Sequence, residues 1–139
     1  MFINYKYLKS QNVKTKQIRN LFELSKSLSK FIKSAGEEFN EILLRVIDDS
    51  LMHIGKSVRP VVYYHLEKDF IKKKEIPVKT ERFSACLEMI FGKGVEYLIK
   101  MIIVERLYVE IEEELEEIED YSLTDYVNEA RKKYLQKRK

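Results

Sequence analysis

A single cysteine, Cys86, in 139 residues excludes an internal disulfide and a cysteine-based zinc knuckle. Two prolines and four glycines are too few for the many turns of a sandwich or barrel, which points to helices. Long apolar runs are also missing. The longest, Met101-Ile102-Ile103-Val104, is bounded by Lys100 and Glu105, so no membrane span is expected. The start, Met1-Phe2-Ile3-Asn4-Tyr5-Lys6, lacks the apolar stretch and cleavage site of a signal peptide, and a cytoplasmic protein with no membrane partner is the expectation. What is present is 45% hydrophobic and 35% charged, a balance that supports one packed core and disfavours disorder.

The net charge of +3 conceals segregation into blocks. Residues 1–34 carry eight Lys/Arg against Glu23 alone, and residues 35–104 hold eleven charges of each sign. Residues 105–125 carry ten acids against Arg106, and residues 126–139 carry six bases against Glu129. Such blocks pair within one chain or attract outside partners, and pairing within the chain is favoured because folding brings them together at high effective concentration.

Apolar spacing sets out the helices. Ile18, Leu21, Leu24, Leu28 and Phe31 recur at three- and four-residue steps, giving a helix over about 15–34 after an aperiodic lead-in at 1–12. Ala35-Gly36 invites a break. A second helix then carries Phe39, Ile42, Leu43, Val46, Ile47, Ser50 and Ile54 to a stop at Gly55. Pro60 suits the first turn of a short third helix with Val61, Val62, Leu66 and Phe70 on its apolar face. Thr80 is the expected N-cap of a fourth, with Phe83, Cys86, Leu87, Ile90 and Phe91 inward and Gly92-Lys93-Gly94 ending it.

The fifth helix is drawn from Tyr97, Met101, Val104, Tyr108, Ile111, Leu115 and Ile118, an unbroken alternation of four- and three-residue steps. Val95, Leu98, Ile99, Ile102, Ile103 and Leu107 add a second apolar face to its first half, which is expected deep in the core. Over 95–120 this helix spans about 39 Å, against a domain diameter of about 37 Å, so it crosses the domain or projects from it. Seven glutamates between 110 and 119 require nearby cations. Ser122 with Asp125 forms a capping box for a last helix, 123–137, packing through Leu123, Val127, Ala130 and Tyr134.

Chemistry-bearing residues are sparse. His53 and His65 lack metal-ligand spacing and read as edges of helix-packing faces, and Cys86 on an apolar face is an inert thiol. Gly92-Lys93-Gly94 lacks phosphate-loop grammar, and the glutamate run lacks that of a calcium loop. No catalytic residue, metal or cofactor is assigned, and no enzyme activity is expected. The candidate interaction seam is Tyr108, Ile111, Leu115 and Ile118. Candidate nucleic-acid contacts are Lys14, Lys16, Arg19, Lys26, Lys30 and Lys33 on the first helix, with Arg131, Lys132 and Lys133 in the tail.

Residues 37–110 resemble a small helical output domain of archaeal signalling proteins, the Nitrosopumilus-type output domain. The likeness rests on Gly55-Lys56-Ser57-Val58, Tyr64-His65-Leu66-Glu67-Lys68, Ile76-Pro77, Phe83, Leu87 and Ile90-Phe91-Gly92-Lys93-Gly94. It implies an all-helical module that relays or assembles, without catalysis. The expected architecture is a single all-α domain over 1–139, a five- to six-helix orthogonal bundle with a long heptad-patterned helix near 95–120. Its parts are a basic arm and helix at 1–34, a core at 37–120 and a basic helix and tail at 121–139. The expected role is a regulatory interaction module, homodimeric or bound to a helical protein. The alternative is a small nucleic-acid-associated regulator.

Overall fold

The computed structural model describes residues 15–138. The lead-in at 1–12, Lys14 and Lys139 lie outside them. The described residues form α1 (Thr15–Ile54), α2 (Val58–Lys68), the 3-10 helix η1 (Lys73–Val78), α3 (Thr80–Phe91), α4 (Lys93–Glu110) and α5 (Leu123–Lys137). The fold is all-α. No described helix is long and apolar enough to cross a membrane. Packing divides the chain into two units, Met1–Gly36 and Glu37–Lys139.

The expected break at Ala35-Gly36 does not occur, and α1 is helical on both sides of it. Glycine permits a bend without forcing one. The apolar steps from Leu28 through Phe31 and Ala35 to Phe39 stay in helical phase, and no proline interrupts them. Gly55 does follow the last residue of α1, and Pro60 lies in the first turn of α2.

In the second unit, Phe39, Leu43, Ile47 and Leu51 of α1 join Val62 and Leu66 of α2, Phe83 and Leu87 of α3, Ile103 and Leu107 of α4, and Val127 and Ala130 of α5 in one buried cluster. Ile76 of η1 joins the same cluster, and Pro77 beside it is also buried. Thr80 is the first residue of α3, not its cap, and its hydroxyl lies 2.7 Å from that of Thr124. At α5 the Ser122 Oγ accepts the Asp125 N–H at 3.1 Å and Asp125 accepts the Ser122 N–H at 3.0 Å, closing the expected capping box.

The largest departure is at Glu110, where the helix expected to run to 120 stops. The Glu113 N–H donates to Tyr108 O at 3.0 Å and Glu112 N–H to Val109 O at 3.1 Å, with Glu112 at φ 58°. This is a Schellman ending. Two forces favour it. Glutamates four apart would repel along a continued helix, and acids at a helix C-terminus oppose its dipole. Lys137 of α5 instead donates to the Ile111 and Glu112 carbonyls at 3.4 and 2.8 Å, placing a cation on the helix end. The chain then returns through 113–122 to α5. The first half of α4 is also less deep than expected, since Val95, Tyr97 and Leu98 are exposed.

Candidate functional site: an exposed heptad row and a strained corner

Tyr108 and Ile111 are only 3% and 5% exposed and belong to the chain's own core, with Leu115 packed against it. Ile118, at 39% exposure, is the one open member of the expected seam. The seam therefore offers no strip for a partner helix. Its spacing reflects burial against α5 and the rest of the core.

An open row lies in the first unit. Leu21, Leu24, Leu28, Phe31 and Ile32 are exposed on α1, Leu24 at 66%. Leu21, Leu24, Leu28, Phe31 and Ala35 step by three and four, which places them at alternating a and d positions of a heptad, although Ala35 is itself buried and ends the open row. The flanking e and g positions then hold Ser25, Ile32, Asn20, Ser27 and Ser34, all uncharged. Arg19, Lys26 and Lys33 fall at f, and Lys16, Glu23 and Lys30 at c, on the far side of the helix. Lys16, Arg19, Lys26, Lys30 and Lys33 are all exposed, and none forms an ion pair with another described residue. Lys26 lies 4.7 Å from the centre of the Phe22 ring. The apolar periodicity of this helix is plain in the sequence, but the neutrality of its flanks emerges only once the heptad register is assigned.

The basic tail is largely occupied within the fold. Arg131 is partly buried, donates to Asn40 Oδ1 and to Pro77 O, and stacks over Phe39 at 4.7 Å. Lys133 lies 5.7 Å over the Tyr108 ring, while Lys132 is exposed. Lys137 pairs with Glu113 and Arg138 with Glu38. Of the expected nucleic-acid contacts in the tail, Arg131 is thus used structurally, and the acidic block finds part of its counter-charge in α5.

Asp48 gathers a second polar group. It accepts from Tyr63 OH at 2.7 Å, Lys73 Nζ at 2.9 Å and Arg59 at 3.1 Å, tying α1, α2 and η1 together. Burial alone would raise its pKa. The Tyr63 and Lys73 hydrogen bonds and the charges of Lys73 and Arg59 outweigh that and hold it below the ordinary carboxylate value. Tyr63 is pushed well above its ordinary range by burial and by Asp48. Both Asp48 oxygens are thus engaged by side chains of the same unit, which fits a structural tie. Cys86 is buried, and burial, with the Asp69 charge, raises its pKa away from thiolate reactivity. Among the described residues no three His, Cys, Asp or Glu converge as metal ligands.

The end of α2 carries a feature that the sequence reading placed inward. Phe70, expected on an apolar face, is 90% exposed and has φ 60°. Its N–H donates to Glu67 O and the Ile71 N–H to Leu66 O, both at 3.0 Å, so Phe70 occupies the left-handed position of a Schellman motif. Ile71 is buried in its place. Compared with known protein families, curated proteins and solved structures, the chain matches none.

Proposed function

We propose that this protein is a non-enzymatic self-association module whose α1 row pairs with the same row of a second copy. The observation that carries this reading is the combination of an exposed a/d row at Leu21, Leu24, Leu28 and Phe31 with uncharged e and g positions. Two basic helices ordinarily repel. Here the serines and Asn20 face the partner while the cations point away, so like charges stay apart as the apolar row is buried. A partner read by charge would instead find its opposite sign at those flanks.

Light scattering coupled to size exclusion tests this. In 500 mM salt, where apolar pairing persists, the unmodified chain is expected as a dimer at tens of micromolar and Leu24→Asp with Leu28→Asp as a monomer of unchanged helicity. A monomeric unmodified chain at several hundred micromolar rejects the proposal.

A nucleic-acid role is supported by one observation, the outward row of Lys16, Arg19, Lys26, Lys30 and Lys33. Binding of DNA or RNA through it falls steeply with salt and is abolished by Lys26→Glu, Lys30→Glu and Lys33→Glu together. No binding at low salt removes that alternative.

A further inference from the structure

Phe70 combines two unfavourable features: an aromatic ring left in water and a backbone conformation in which glycine is the default residue. Lys68, Lys72 and Lys74 are exposed around it in the chain. Lys73, the remaining lysine of the stretch, is engaged with Asp48, and Glu67 and Asp69 leave residues 67–74 net positive. The corner is a projecting apolar knob among cations.

A cleft of about 470 Å³ elsewhere in the same unit has the complementary character. Tyr97, Lys100, Ile118, Tyr121 and Tyr126 line it together with Glu117, Glu119 and Asp120, so that three acids outweigh one base. The rings of Tyr121 and Tyr126 meet edge to face, 5.1 Å apart at 72°. The Tyr126 hydroxyl accepts from Ile118 N–H at 3.0 Å and lies 3.1 Å from the Ile118 carbonyl, to which it donates. Lys100 donates to Tyr121 O at 3.0 Å and lies 4.7 Å over Tyr97. The walls are thus held in place before anything enters, which lowers the ordering cost of binding. Aromatic walls favour a further ring in offset or edge-to-face contact, and the volume accommodates one.

We propose that the Phe70 corner of one copy docks into the tyrosine-lined cleft of a second copy. A cleft of net negative lining meets a corner of net positive charge, and an exposed Ile118 meets an exposed phenyl ring. Because knob and cleft are different patches, the contact is head-to-tail and extends an assembly unless the geometry closes it. It is separate from the α1 row, and the two are separable by salt: charge-assisted docking weakens with ionic strength, while apolar pairing persists.

The experiment uses the full chain carrying Leu24→Asp and Leu28→Asp, so that α1 pairing does not contribute. Sedimentation velocity is expected to show mass rising with concentration at 50 mM salt and a monomer at 500 mM. Phe70→Asp and Ile118→Arg, each at an exposed position, are expected to weaken association by about 30-fold, the loss typical of a central interface residue. Mixed one to one they restore a single contact, since one retains the cleft and the other the knob, giving a dimer and nothing larger. The proposal is overturned if the Leu24→Asp, Leu28→Asp chain stays monomeric throughout, if either further variant associates as before, or if the mixture does not pair. Failure here leaves the α1 dimer of the unmodified chain untouched, and loss of that dimer leaves this test standing.

Discussion

At Phe70, side chain and backbone disagree about what the position needs. A left-handed conformation costs an L-residue about 1–2 kcal/mol, and a glycine there avoids the cost while giving back part of it in chain entropy. Phe70→Gly is therefore expected to stabilise the protein by about 1 kcal/mol in urea unfolding, although it removes a large apolar side chain. Ile111 behaves in the opposite way. It closes the core beneath the α4 terminus, so Ile111→Asp buries an unpaired carboxylate and is expected to cost about 3 kcal/mol or more, seen as a lowered unfolding midpoint. Asp48 adds a pH signature. Its carboxyl titrates lower folded than unfolded, so its stabilisation is full above the ordinary carboxylate value of about 3.9 and drains away as pH falls below it. Urea midpoints measured at pH 6 and pH 3 are expected to differ less in Asp48→Asn than in the unmodified chain.

Among the elements, legibility followed local chemistry. α5 is placed by its capping box and apolar face, and α3 by its apolar stripe and the glycines after it. Apolar spacing was a poorer guide to length. The row from Tyr97 to Ile118 keeps its three-and-four steps through a helix end, because Ile111 and Leu115 pack inward from coil as readily as from helix. Nothing in that spacing encodes Lys137, which arrives from 25 residues away to cap the Glu112 carbonyl. The candidate surfaces were legible only in part. The α1 row is written in its periodicity, whereas Phe70 looks like one more inward residue until the Schellman hydrogen bonds turn it outward. One check belongs to this scale. Ser122→Ala removes the acceptor of the Asp125 N–H and is expected to cost about 1 kcal/mol, with early loss of amide-exchange protection in the first turn of α5.

At the scale of the molecule, the charge blocks divide by use. The basic tail is drawn into the fold through Arg131, Lys137 and Arg138, while the bases of residues 16–33 stay exposed on α1. The packed cluster that includes the tail draws on residues from Phe39 to Tyr134. A chain starting at Glu37 keeps every member of that cluster. It also begins its first helix with Glu37 and Glu38, acids that favour a helix N-terminus, and retains the Glu38 pairing with Arg138. Such a fragment is expected to unfold cooperatively on heating, with a midpoint within about 5 °C of the full chain, a difference of about 1 kcal/mol at this size. Its circular dichroism should remain helical, and the salt-resistant dimer should be gone. A gradual, non-cooperative melt would mean that the second unit depends on residues 1–36 to fold, and would overturn this expectation.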